Sequence, residues 1–191
     1  MKTIEIKGTQ RADISKQEVK VLRDNGKVPC VLYGGEDQIH FSVLAFDFRD
    51  LIYTPQVHMV DLDVDGKKYL ATLQDIQFHP ITDAIRHVDF LLVIKDKPVT
   101  MSIPVKFTGA SEGVKMGGKL VMKMRRVKVK ASPDVMPDFI PVDISTMKIG
   151  GNIRVRDLNA ANVTFLDSPN NVVVSVRMTR NVAAETATAG K

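Results

Sequence analysis

Hydrophobic and polar residues alternate along much of the chain, and this period of two predicts a mainly β protein. Asp65-Gly66 has the composition of a two-residue hairpin turn. Five or six short strands are too few for a sandwich, so we predict a small closed barrel in the first half of the chain. The predicted strands are 3–7, 30–33, 39–43 and 85–93, with a hairpin over 57–76.

Helical segments interrupt this β pattern. Ser15 followed by Glu18 forms a capping box, so a helix should begin near Lys16. Gly26 is a favourable residue just past a helix end, and Pro29 prevents continuation. The segment 46–53 predicts a second, short helix. We therefore expect the barrel to carry one or two helices.

A different unit begins after the polar connector 95–98. Apolar residues occupy every second position over 99–107, and further strands are predicted at 120–129, 153–156 and 172–178. The alternation slips by one residue at Arg125-Arg126, which predicts a β-bulge. We predict a barrel domain at 1–94, an all-β domain at 95–182 and a disordered tail at 183–191, whose sequence lacks bulky side chains.

The composition is that of a soluble globular protein. Of the 191 residues, 44% are hydrophobic and 26% are charged. No apolar run reaches the roughly 18 residues of a membrane span, and the first ten residues lack the hydrophobic core of a secretory signal. The single cysteine cannot form an internal disulfide. We therefore expect a cytoplasmic location and no membrane partner.

Charge is distributed unevenly between the two predicted domains. Residues 1–94 hold eleven Lys and Arg against fourteen Asp and Glu, a net charge of −3. The rest of the chain holds sixteen against eight, a net charge of +8, and 115–130 carry seven cations and no acid. Charge taken alone would place a nucleic-acid site in the second domain.

Several patterns approach a catalytic or metal site but lack an essential residue. The stretch 61–66, DLDVDG, matches the start of a calcium-binding loop, yet Thr72 stands where a bidentate glutamate is needed. Cys30 has neither a cysteine partner nor a base nearby in sequence, and the four histidines lack metal-ligand spacing. Since no nucleophile has its base, we predict that the chain is not an enzyme. We also expect no metal, no cofactor and no small-molecule substrate.

The first predicted helix carries a stripe of cations. Lys16, Lys20 and Arg23 lie at i, i+4 and i+7, which brings them to one face, and Arg11 precedes the helix. Such a stripe is either a solvated face or a contact surface for nucleic-acid phosphates. Glu18 falls off the stripe, which keeps the second interpretation open.

Two further positions allow either a structural or a functional interpretation. His87 and Asp89 lie two residues apart on a predicted strand, so both point away from the core. The pair either satisfies itself on the surface, or Asp89 accepts hydrogen bonds from bases or orients His87. Tyr33 stands directly before Gly34-Gly35 and is either the last core residue of its strand or a ring presented to a partner.

Several segments together resemble one family in their order and spacing. They are Arg11, the cationic helix, 26–29 (GKVP), 31–35 (VLYGG), Gln74-Asp75, His79-Pro80 and 87–90 (HVDF). Over its whole length the chain resembles the long, two-domain form of the large-subunit ribosomal protein family number twenty-five. That family binds 5S ribosomal RNA and includes the general stress protein Ctc. The second domain matches mainly by its strand pattern and the GGKL turn at 117–120.

The resemblance implies a ribosomal, non-enzymatic protein whose first domain docks on the minor groove of loop E in 5S ribosomal RNA. Lys20 stands where many members have arginine, which keeps the charge without the planar fork. The basic second domain would contact other ribosomal RNA or neighbouring ribosomal proteins. Carried over position by position, the implied RNA contacts are Arg11, Lys16, Lys20, Arg23, Tyr33, Gln74, His87 and Asp89.

Functions of two other classes remain open from the residues alone. One is a cytosolic β-rich interaction protein whose basic second domain binds an acidic partner. The other is an RNA-modifying enzyme in which His87 and Asp89 transfer a proton. Selective RNA binding by the first domain would argue against the former, and absence of turnover would argue against the latter.

Overall fold

A computed structural model describes residues 2–12, 14–35, 37–94 and 97–179, and its fold is mainly β, as predicted. The described residues fall into two compact units. One unit comprises residues up to 101 together with 132–134, and the other comprises 102–131 and the residues from 135 onward. The predicted tail at 183–191 lies outside the described residues.

The first unit is a closed six-stranded barrel. Its strands are β1 (Lys2–Gln10), β2 (Lys27–Tyr33), β3 (Ile39–Leu44), β4 (His58–Val64), β5 (Lys67–Phe78) and β6 (Ile85–Leu92). Around the barrel the order is β1-β3-β2-β6-β5-β4, and β1 pairs with β4 to close it. The β1–β4 and β2–β6 pairs are parallel and the other four are antiparallel. Each of the six strands therefore has a neighbour on both sides.

Two helical segments connect these strands. α1 (Lys16–Asp24) begins and ends as predicted, because the Glu18 amide donates to Ser15 Oγ at 3.3 Å and Gly26 takes a φ of 70° just past the helix. Between β3 and β4 a 3₁₀ turn (Ala45–Phe48) runs into the short helix α2 (Arg49–Ile52).

Aromatic rings fill the interior of the barrel. Phe41, Phe48 and Phe90 are fully buried, and the centroid of Phe90 lies 5.9 Å from that of Phe41 and 6.3 Å from that of Phe48. Burial of each ring stabilises the fold by roughly 1.5–3 kcal/mol. Gly8 makes room for Phe41, because a Cβ at that position would lie 2.6 Å from its ring.

The β4–β5 hairpin turns at Asp65-Gly66, as predicted. Both residues have positive φ, 49° and 87°, which is the requirement of a type I′ turn. Asp63 accepts a hydrogen bond from the Gly66 amide, and Asp65 accepts one from the Gln10 amide, each at 2.9 Å. These carboxylates of the 61–66 stretch thus fix a turn.

The described residues of the second unit form two sheets. Their strands are β7 (Val99–Thr108), β8 (Lys119–Met122), β9 (Arg126–Ala131), β10 (Ile140–Asp143), β11 (Asn152–Arg154), β12 (Thr164–Phe165) and β13 (Val172–Arg177). One sheet has the order β10-β7-β9-β12 and the other β11-β13-β8, and α3 (Glu112–Lys115) is a single helical turn. The bulge predicted at Arg125-Arg126 is wrong, because β8 and β9 belong to different sheets and the chain changes sheet between them.

Candidate nucleic-acid interface

The outer side of β6 presents His87 and Asp89 together. Nδ1 of His87 lies 2.6 Å from Oδ1 of Asp89, and the two side chains are 29% and 28% exposed. The alternate residues Val88 and Phe90 are fully buried. Because an ionised carboxylate only accepts hydrogen bonds, Nδ1 carries the hydrogen of this contact. Nε2 of His87 is then an acceptor in the neutral ring and a donor in the protonated ring.

A β-bulge in β5 brings further polar groups beside this pair. The register with β6 skips Gln74, which is therefore the extra residue of the bulge. Gln74 and Asp75 are both exposed. Asp75 lies directly opposite Asp89, and Gln77 lies directly opposite His87. The bulge thus places the aspartates Asp75 and Asp89 side by side on neighbouring strands.

We did not predict Asp75 and Gln77 as site residues from the sequence. The available signal was the spacing of Leu73 and Ile76, which both pack against the core although they are three residues apart. A regular strand sends residues at that spacing to opposite faces. Like charges directly opposite each other destabilise a strand pair, so the free barrel pairs Asp75 with Asp89 at a cost.

Tyr33 reaches the same surface from the end of β2. It is half-buried, and Val31, two residues earlier, is paired with Asp89. Burial raises the pKa of Tyr33, and the negative charges of Asp89 and Asp75 raise it further. The phenol therefore remains a hydrogen-bond donor beside two acceptors. We call the following set the β5–β6 face: Tyr33, Gln74, Asp75, Gln77, His87 and Asp89.

The residue after Tyr33, Gly34, has to be a glycine because of its backbone conformation and its close neighbour. Its φ is 101°, and a Cβ at this position would lie 2.8 Å from the Leu91 side chain. Glycine therefore lets the chain turn tightly past β6 directly after the tyrosine.

Arg11 is held by an ion pair. Its guanidinium lies 3.2 Å from the Glu18 carboxylate, and its side chain is only 5% exposed. The Arg11 amide also donates to the His40 carbonyl oxygen at 2.9 Å. Arg11 thus fastens the chain after β1 to the first turn of α1. Lys16 and Lys20, by contrast, are exposed.

Arg23 reaches inward from the helix. Its Nη2 donates to the Arg86 carbonyl oxygen at 2.9 Å, and its Nε is buried without a hydrogen-bond partner among the described residues. Burial lowers the pKa of Arg23, and the nearby charges of Arg86 and Arg11 lower it further. Helical spacing aligned Arg23 with Lys16 and Lys20, but its long side chain crosses from α1 to β6.

The remaining candidate for catalysis, Cys30, has a structural role in the core. Cys30 is buried, burial raises the pKa of its thiol, and Sγ donates to the Val28 carbonyl oxygen at 3.4 Å. Within the described ranges, no group of three His, Cys, Asp or Glu side chains could hold a metal ion. No helix in that part of the chain is long and apolar enough to cross a membrane.

Two family models match the chain in succession. Residues 6–90, which contain most of the barrel, match the ribosomal L25p family, and residues 98–180 match the C-terminal domain of ribosomal protein TL5. A barrel of the first kind followed by a domain of the second kind defines the class: a two-domain ribosomal protein.

Relatives match over the full length. Large ribosomal subunit protein bL25 of Bacteroides fragilis is 44% identical over 196 residues, and that of Cytophaga hutchinsonii is 46% identical over 191, each covering 100% of both chains. The bL25 protein of Porphyromonas gingivalis is 43% identical and covers 94% of this chain and 95% of its own. The chain belongs to the bL25 family of large ribosomal subunit proteins.

Membership of this family confirms three predictions from the sequence. The resemblance to the large-subunit family is correct, the chain is a structural component of the large ribosomal subunit, and it is not an enzyme. Its partners are accordingly ribosomal RNA and ribosomal proteins.

Proposed function

We propose that this protein binds 5S ribosomal RNA through its first unit, with the β5–β6 face contacting base edges and α1 following the phosphate backbone. The observation that carries the proposal is the pairing of Asp75 with Asp89 across β5 and β6. These carboxylates repel each other in the free protein, and a partner that donates hydrogen bonds relieves that cost.

The minor groove of RNA offers such donors. In A-form RNA this groove is wide and shallow and displays 2′-hydroxyl groups and base edges, including the guanine amino group. A sheet surface can approach it, whereas the deep, narrow major groove excludes one. The acceptors of Asp75 and Asp89, the amides of Gln74 and Gln77 and the Tyr33 hydroxyl match this mixture of groups.

Lys16 and Lys20 serve as the phosphate contacts. Both are exposed, and at i and i+4 they lie on one side of α1. Arg11 and Arg23 act behind them, because Arg11 fastens α1 through Glu18 and Arg23 fastens its last turn to β6. Of the eight residues predicted from the sequence, these two arginines support the surface and the other six form it.

The second unit contacts other ribosomal RNA or neighbouring ribosomal proteins. Cations alternate with buried residues along β9, so Arg126, Lys128 and Lys130 are exposed while Val127 and Val129 are buried. One side of this strand is therefore uniformly basic, which suits a polyanionic partner.

The separated halves of the chain test the assignment of RNA binding to the first unit. The buried barrel core lies entirely between Ile6 and Phe90, so a fragment of residues 1–94 retains it. Binding of the full chain, of 1–94 and of 95–191 is measured against 5S ribosomal RNA, with transfer RNA as competitor. We expect the full chain and 1–94 to select 5S RNA, although 1–94 has the lower net charge. Selective binding by 95–191 alone would contradict the proposal.

A changed RNA tests the location of the contact. In a 5S RNA whose loop E is replaced by a regular duplex, the phosphates remain but the base edges of the loop are lost. We expect the full chain to lose its selectivity for this RNA while the salt dependence of binding is retained. Unchanged affinity would place the contact elsewhere on the RNA.

A further inference from the structure

A cavity of about 470 Å³ opens at one end of the barrel, where β2 and β6 begin and α1 ends. We call it the mouth pocket. Among the described residues that line it are three cations, Arg23, Lys27 and Arg86, and the polar residues Tyr53, His79 and Thr82. Its volume lies within the range of small-ligand sites, which often occupy the mouths of barrels.

The charges of the mouth pocket are unbalanced. Among the described residues that line it, none is an aspartate or a glutamate. The Nε of Arg23 is buried with no partner in the described part of the chain, and burial and the charge of Arg86 lower the Arg23 pKa. The charges of Arg23 and Arg86 therefore repel each other across the pocket, and a bound anion lowers the free energy of this arrangement.

The uncharged polar groups of the pocket also favour an anion. Nδ1 of His79 accepts from the amides of Ile81 and Thr82 at 3.4 and 3.3 Å. The neutral imidazole of His79 therefore carries its hydrogen on Nε2, where it can only donate. The hydroxyls of Thr82 and Tyr53 add two further donors. Donors around cations suit phosphate oxygens.

Part of the wall is apolar, which argues for more than a bare phosphate ion. Val28, Ala45 and Ile85 line the pocket, and so does Tyr53, which is 65% exposed. Aromatic side chains stack on nucleobases with a gain of roughly 1–3 kcal/mol per base. We propose that the mouth pocket binds the phosphate group of a nucleotide, with Lys27 and Arg86 on the phosphate and Tyr53 against the base.

This proposal does not rest on the binding of 5S RNA by the β5–β6 face. The nucleotide is either free in solution or one unit of an RNA strand, and both present the same phosphate and base. Lys27 and Arg86 have no part in the proposed RNA contacts. The pocket can therefore be tested in the absence of RNA.

The test is calorimetric titration of the full chain with inorganic phosphate and with adenosine 5′-monophosphate. Lys27→Gln/Arg86→Gln removes two cations of the pocket and leaves the backbone oxygen of Arg86 as the acceptor for Arg23. The matched control, Lys67→Gln/Lys68→Gln, removes two exposed cations at the start of β5. We expect the nucleotide to bind saturably and more tightly than phosphate. The pocket variant should weaken both by roughly 10- to 100-fold, and the control by less than about twofold.

Equal weakening by the control would overturn the proposal, as would the absence of saturable nucleotide binding by the wild-type chain at low salt. If the pocket variant does not fold, amide chemical shifts of the wild-type chain decide. Shifts on adding the nucleotide must concentrate at Lys27, Thr82 and Ala84, and a distribution over other surfaces would refute the site. With binding established, displacement of the nucleotide by 5S RNA identifies an RNA strand as its source, and simultaneous binding identifies a free nucleotide.

Discussion

Nδ1 of His87 and Oδ1 of Asp89 lie 2.6 Å apart on the outer side of β6. One carboxylate oxygen is therefore engaged within the strand and fixes the imidazole ring. The other oxygen, Oδ2, has no hydrogen-bond partner in the described part of the chain and can accept from a base. The Asp89 side chain is thus held in place by one oxygen while the other can accept a hydrogen bond from RNA.

Asp89→Asn should reduce selectivity for 5S RNA by about 1–3 kcal/mol, because asparagine keeps one acceptor but turns the other into a donor. The salt slope should not change. The melting temperature of the free protein should stay level or rise slightly, since the repulsion from Asp75 is removed. RNA affinity at several salt concentrations and a melting curve measure these effects.

Asp61→Asn is the control for that substitution, because it makes the same charge change on β4. We expect it to leave selectivity unchanged. Tighter RNA binding by Asp89→Asn, or a large loss of stability without RNA, would remove Asp89 from the recognition surface.

Lys16→Ala and Lys20→Ala should each weaken binding to 5S RNA and to RNA of unrelated sequence alike. Each should lower the slope of log affinity against log salt by about one, because one phosphate contact is lost. Lys67 is an exposed lysine on β5 outside the proposed surface, so the control Lys67→Ala should leave the slope unchanged. The measurement is a salt titration of affinity. Losses that depend on the base sequence would show that α1 is not a phosphate contact.

Arg11→Ala should lower the free energy of unfolding by about 2 kcal/mol, because it leaves the Glu18 carboxylate partly buried without this partner. Arg49→Ala is the exposed comparison: its ion pair with Asp50 has the same 3.2 Å distance but side chains 63% and 69% exposed, and its guanidinium also lies 5.0 Å from the centroid of the Phe46 ring. That control should cost about 1 kcal/mol or less, because both of its contacts are exposed to solvent. Urea unfolding compares the two variants. Equal losses would show that Arg11 does not fasten the helix.

Tyr33 should lose its proton above the ordinary tyrosine pKa of about 10, since burial and the charges of Asp89 and Asp75 disfavour the phenolate. Ultraviolet titration of the wild type against Tyr33→Phe isolates its signal. The folded state holds this proton more tightly than the unfolded state does. Its contribution to stability is therefore complete below the ordinary pKa and is lost as pH rises through the folded value. Titration at or below the ordinary value would contradict the placement of Tyr33 beside the carboxylates.

Features governed by local chemistry could be predicted from the sequence. Ser15 and Gly26 determine where α1 begins and ends, because one satisfies a free amide and the other takes a positive φ. Asp65-Gly66 determines the β4–β5 turn for the same kind of reason. The barrel follows from strand number and length, and the side of β6 occupied by His87 follows from simple alternation.

Features that depend on long-range packing could not be predicted in this way. Alternation does not reveal which strand is the neighbour, so the change of sheet between β8 and β9 resembled a bulge. The true bulge at Gln74 becomes visible only from its register with β6. The partners of Arg11 and Arg23 depend on where a loop and a distant strand pass, and neither is encoded by helical spacing.

The order of strands around the barrel has a consequence for the timing of synthesis. β6 is the last barrel strand to be made, yet it lies between β2 and β5. A nascent chain that ends before β6 therefore exposes an open edge on each of those strands, and long-range closure of this kind is slow. His87 and Asp89 arrive on that same final strand. The surface we propose for RNA binding is thus completed by the same step that closes the barrel. A chain that lacks β6 therefore cannot present this surface to RNA.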